Sequence, residues 1–141
     1  MKLRALTTPL VALTAAALGS GCGGHAEAAA SGQVRTVVLE IRHSRFSPAE
    51  LTVPEGQRVR FVVRNLDPID HELIVGPPDV HRRHETGTEA HHGAVDGEVS
   101  VPAGSEATTT YTFTEAGPVQ YACHLPGHLA YGMEGVVNVH V

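Results

Sequence analysis

Sulfur is scarce in this chain, which carries two cysteines and two methionines among its 141 residues. Lysine occurs once, at position 2, and the apolar run from Ala5 to Leu18 is too short to cross a bilayer. No internal repeat is evident, and from Val34 onward no window has the amphipathic period of a helix of useful length. Beyond the first 21 residues, eight scattered arginines face fifteen acidic residues, a formal net charge of −7 with histidines neutral. That balance argues against nucleic acid or an anionic membrane surface as ligand and permits a basic protein partner.

What is present begins with Met1-Lys-Leu-Arg4, the apolar run, and small residues ending at Cys22. This is the pattern of an export signal over residues 1–21. Leu18-Gly-Ser-Gly-Cys22 resembles a bacterial lipoprotein signal, although the leucine stands one place further from the cysteine than is usual. The resemblance implies a lipidated Cys22 as mature N-terminus, and a cell-envelope protein in the periplasm or on the outer face of the cytoplasmic membrane. Residues 22–33, small and polar, read as a flexible tether. With Cys22 lipidated, no intrachain disulfide can form, and Cys123 is the one free thiol in an oxidising compartment. Met133 is then the one thioether left.

Residues 34–141 read as β structure throughout. Runs of alternating hydrophobicity at 35–41, 46–53, 58–65, 71–75, 98–101, 107–113, 119–123 and 136–141 are separated by Gly/Pro turns. About eight short strands imply an all-β domain, a single antiparallel Greek-key sandwich. The stretch 76–97 breaks the pattern as a long polar loop with His81, His84, His91 and His92. A loop of that length is functional or disordered; its imidazoles are candidates for a secondary, low-affinity metal site.

The chemistry concentrates in Tyr121-Ala-Cys-His-Leu-Pro-Gly-His-Leu-Ala-Tyr-Gly-Met133, where four residues separate Cys123 from His128 and four separate His128 from Met133. A thiolate, an imidazole and a thioether in one loop suit copper that cycles between Cu(I) and Cu(II). A second imidazole is needed, and His71 is the candidate. Strand parity turns Cys123 inward with Val119 and Tyr121, and His71 inward with Leu73 and Val75, while His124 points away to the surface. Pro126 stiffens the ligand loop, Gly127 and Gly132 let it turn, and the other ring nitrogen of His71 is expected on a backbone group or a carboxylate. Zinc fits less well, because a thioether is a poor zinc ligand. His43 and His140 are expected to be partly exposed strand residues without a ligand role.

Over Val34 to Val141 the chain resembles the cupredoxins, the plastocyanin/azurin group, and its ligand spacing is similar to that of auracyanins. The resemblance implies an eight-stranded sandwich holding one copper ion, with His71, Cys123 and His128 as strong ligands and Met133 as weak axial ligand. Glu72 departs from the family, many members of which carry asparagine there to tie two ligand loops together. Cys123-His-Leu-Pro-Gly-His128 also resembles the last copper motif of multicopper oxidases. Ala122, the lack of any His-x-His pair and the single domain speak against that reading. The expected function is one-electron transfer between redox protein partners by a membrane-tethered monomer, without catalysis. The alternative is copper homeostasis, in which the chain acquires, stores or delivers the ion.

Overall fold

Alternation organises the first sheet. In β4 (Arg58–Asn65) Val59, Phe61 and Val63 are fully buried, while Arg58, Arg60 and Arg64 face solvent. In β1 (Arg35–Ile41) Val37, Leu39 and Ile41 do the same. Each such side chain contributes about 1.5–3 kcal/mol by leaving water. The computed structural model describes residues 32–86 and 95–141. Cys22, the leader and most of the tether, together with His91 and His92, lie outside the described residues.

The remaining strands are β2 (Phe46–Ser47), β3 (Glu50–Pro54), β5 (His71–Gly76), β6 (Glu98–Val101), β7 (Glu106–Thr112), β8 (Gly117–Ala122) and β9 (Glu134–His140). They form two sheets, ordered β2-β1-β4-β7 and β3-β9-β8-β5-β6, whose facing side chains make one core. Edge-to-face pairs of Phe46 with Tyr121 and Phe61 with Phe113 span the interior.

Three expectations change. The strand expected at 46–53 is two strands in different sheets, so the described residues hold nine: Phe46 pairs with Ile41, and Leu51 pairs with Val137. Pro48, between them, has no N–H to offer a ladder, and the chain changes sheets there. Nor is the sandwich purely antiparallel, since β1 runs parallel to β4 and β3 parallel to β9. Finally, the stretch expected as loop at 76–97 begins with a helix, α1 (Pro78–Thr86). Its signals are local ones: proline at the first position, Asp79 in the first turn, and Arg83 and His84 in the last, where they complement the helix dipole.

Helix α1 packs on β5, all six residues of which are buried. A Cβ at Gly76 would stand 3.0 Å from Val80, so the missing side chain is what lets the helix lie this close. Because Ile74 lies opposite Ala122 in the β5–β8 ladder, the start of β5 and the end of β8 emerge at the same end of the sheet. That end carries the site.

Candidate metal centre

His71 opens β5 and is almost fully buried. The loop before it is pinned by Asn65, whose Nδ2 donates to the carbonyls of Ile69, Val101 and Pro102 at 2.8–3.1 Å, and whose Oδ1 accepts from the Asp67 amide at 3.0 Å. Asp67 is thereby aimed at the imidazole, with Oδ2 3.1 Å from His71 Nε2. Its oxygens also accept the amides of His43 and Ser44, each at 2.7 Å. Those two residues both have positive φ, 53° and 51°, so that consecutive N–H groups turn toward one anion. Burial alone would raise the Asp67 carboxyl, but the two amides and His71 outweigh it and hold the group below its usual value. A carboxylate acceptor requires the proton on Nε2, which leaves the lone pair on Nδ1. Burial, opposed by the Asp67 bond, lowers the His71 pKa and keeps the ring neutral, the form a metal takes.

The other donors come from the loop that follows β8. Cys123 is fully buried, and burial pushes its thiol up to about 11, against main-chain hydrogen bonds to sulfur from Glu72 and Leu125 that favour the thiolate. Gly127 and Gly132 adopt φ of 85° and 80°, where a side chain would be strained, and bracket a single 3-10 turn at Leu129–Tyr131. The turn returns His128 over the thiol, with Cys123 Sγ 3.2 Å from His128 Nδ1. That same nitrogen lies 3.2 Å from His71 Nδ1. The donor atoms of His71, Cys123 and His128 all lie within 4.8 Å of one another.

Met133 is fully buried and tied by main chain to both loop donors. Its amide donates to the His128 carbonyl and its carbonyl accepts from the Cys123 amide, each at 3.1 Å. Glu72, where the family commonly has asparagine, does make a tether, since its Oε1 accepts the His124 amide at 2.7 Å and joins β5 to the ligand loop.

The donor chemistry fits one ion class. Two imidazole nitrogens 3.2 Å apart, one with its proton committed to Asp67, sit beside a buried thiol. Two nitrogens and a thiolate in a shielded pocket suit copper, and a loop that also carries a methionine is a poorer match to zinc.

The remaining histidines sort differently. His81 and His84 are drawn not to this centre but to His124, with His81 Nδ1 2.8 Å from His124 Nε2. His124, expected at the surface, is half-buried beneath α1. It does leave on the face opposite Cys123; the helix covers that face. His43 and His140 are exposed, His43 in the β1–β2 turn rather than a strand. The carboxylate expected on the outer nitrogen of His71 is Asp67, which sequence reasoning did not name; the one signal for it was its place four residues before His71.

Comparison with known proteins agrees with this architecture. The profile of the cupredoxin-like domain matches residues 10–137. The copper-resistant cuproprotein CopI of Rubrivivax gelatinosus is 39% identical over 98 residues, covering 67% of this chain and 59% of that protein. CopI of Pseudomonas aeruginosa is 29% identical over 153 aligned positions, covering 86% and 83%. Among solved structures, reduced auracyanin from Roseiflexus castenholzii superposes with a TM-score of 0.63 at 22% identity, over 75% of this chain and 97% of that one; this likeness speaks for the fold alone. With the two-sheet sandwich, the donor cluster at its end and a profile that spans most of the sequence all in agreement, the chain belongs to the cupredoxin-like family.

Proposed function

We propose that this chain is a copper protein of the cell envelope whose role is copper tolerance, and that His71, Cys123 and His128 bind one copper ion with Met133 as weak axial ligand. The observation that carries the metal assignment is the convergence of two Nδ1 atoms and a thiol sulfur within 4.8 Å. Support for tolerance comes from the relatives named copper-resistant cuproproteins, of which the Rubrivivax protein is matched over 59% of its length. Copper held by such a set can change oxidation state with little movement of its ligands. The chain's own part is to hold His71 neutral and oriented through Asp67, to bury the thiol, and to keep water from both. The leader and Cys22 support export and a lipid anchor at the membrane. No residue is assigned a catalytic role.

One-electron transfer between protein partners is the second reading, favoured by a donor set already gathered within 4.8 Å. Deleting the gene in its native host separates the two. Growth that fails at raised copper and is restored by the intact chain supports tolerance. Unchanged growth with a lost electron-transfer activity moves the assignment to a carrier. For the metal centre itself, Cu(II) added to the purified protein should give an intense visible thiolate-to-copper band; a colourless protein overturns the assignment.

A further inference from the structure

A second cluster of imidazoles lies on the other side of the Cys123–His124 peptide bond. His81 is 4% exposed, and its Nε2 faces two carbonyls, Gly76 O at 3.1 Å and Gln120 O at 3.2 Å. Carbonyls only accept, so Nε2 carries the proton and Nδ1 presents its lone pair. Burial lowers the pKa of His81 and keeps the ring neutral. The lone pair is aimed at His124 Nε2, 2.8 Å away.

His84, one helical turn beyond His81, shares its face of α1 and stacks on the His124 ring, centroids 5.9 Å apart and planes 27° from parallel. Its Nδ1 donates to the Val80 carbonyl at 2.8 Å, which leaves Nε2 to other partners. That nitrogen lies 3.3 Å from Oε2 of Glu98, itself only 9% exposed. His84 and Glu98 thus stand at ion-pair distance beside the His81–His124 pair.

Metal–imidazole bonds are about 2.0 Å long, so two nitrogens at right angles on one ion stand about 2.8 Å apart. His81 and His124 already hold that spacing. A metal ion entering there replaces the proton that His124 otherwise offers to His81, and His84, stacked on the His124 ring, is the third imidazole beside it.

We propose that His81, His84 and His124 form a second metal site, with Glu98 beside it, for a divalent first-row ion that prefers imidazole, Cu(II) above all. It contains no sulfur donor and does not rest on the first centre. The two are nonetheless joined by the shortest covalent route available, since Cys123 and His124 are consecutive residues whose side chains leave on opposite faces.

The test is titration of the full chain with Cu(II), followed by electron paramagnetic resonance. Two ions per chain are expected, the second with the wide copper hyperfine splitting and nitrogen couplings of a flat imidazole site. The second signal should be lost in His81→Gln and in His84→Gln, while the visible thiolate band persists and reports an intact fold. If that band never forms, circular dichroism reports the fold and the imidazole signal is still readable, so the two assignments fail separately. Absence of the imidazole signal overturns the proposal, as does such a signal that survives both substitutions or that disappears on replacing His91 and His92 instead.

Discussion

Asp67 sits 3.1 Å from His71 Nε2 and so leaves Nδ1 as the imidazole nitrogen turned toward His128. With the proton drawn to Nε2, the other nitrogen is directed at His128 and Cys123. Outer partners of this kind are worth about 10–100-fold in metal affinity. Asp67→Ala should therefore weaken copper binding by a factor in that range without abolishing the visible band. Competition against a chelator of known affinity measures it, and an unchanged affinity removes the orienting role given to Asp67.

The two sulfur donors should fail in different ways. Cys123→Ser is expected to abolish the thiolate-to-copper band. Met133→Leu should keep the colour and raise the reduction potential, because losing an axial donor and adding an apolar side chain both favour the ion of lower charge. Absorption spectra and potentiometry on the two variants check this; a Met133→Leu protein with a lowered potential contradicts the axial assignment.

Much of this centre was legible in the sequence, and the reasons are physical. Cys123, His128 and Met133 are contiguous enough for one loop to carry them, and strand parity was sufficient to turn His71 toward them. Asp67 was not legible, because a turn carboxylate leaves no periodic trace and its partners His43 and Ser44 are more than twenty residues away. Helix α1 escaped because its covered face is built from Val80, His81 and His84, and a hydrophobicity pattern counts two of those three as polar. The same omission left His124 looking exposed. The sheet change at Pro48 was hidden because residues 46–53 alternate well enough for one strand, although only pairing partners show that they are two.

Without metal, the protein should lose stability as pH falls. The folded-state pKa values of His71, His81 and His124 are all lowered, burial being the largest cause in each. An unfolded histidine takes up its proton near pH 6.5. Below that value the unfolded chain binds more protons than the folded one, so stability present above it is lost on acidification. Asp67, held below its usual value chiefly by the amides of Ser44 and His43 against the opposing effect of burial, extends the loss into the carboxylate range. Thermal unfolding of the metal-free protein between about pH 7.5 and 5 should show a falling midpoint. A midpoint that rises over that interval would mean these rings are charged, not neutral, in the folded protein.

Glu72 is 3% exposed and accepts the His124 amide. Glu72→Ala strands that N–H and removes the link between β5 and the ligand loop. The expected loss is about 1.5–3 kcal/mol, as for a hydrogen bond to a charged group. Urea titration should show a lower midpoint at unchanged slope; a midpoint equal to that of the parent contradicts the tether.

Gly135 faces Tyr121 across the β8–β9 ladder, and a methyl group there would run into the phenol ring. Tyr121 is fully buried, and its hydroxyl donates to the Pro48 carbonyl at 2.6 Å. Gly135→Ala should cost about 1–3 kcal/mol through overpacking. Recovery in the double variant with Tyr121→Phe would locate the clash at the hydroxyl end, and equal destabilisation in both backgrounds would place it elsewhere.

The Cys123 amide and the Met133 carbonyl close the ligand loop on itself at the mouth of the sandwich. Three of the four proposed donors thus ride on one clasped segment whose internal turns are satisfied by its own main chain, and only His71 belongs to the scaffold. That segment, whose turns require the positive φ of Gly127 and Gly132, takes no part in the pairing of β8 with β9. The sandwich acts as a socket and the loop as a head seated on it, so a change confined to the head is felt there before it reaches the two sheets beneath.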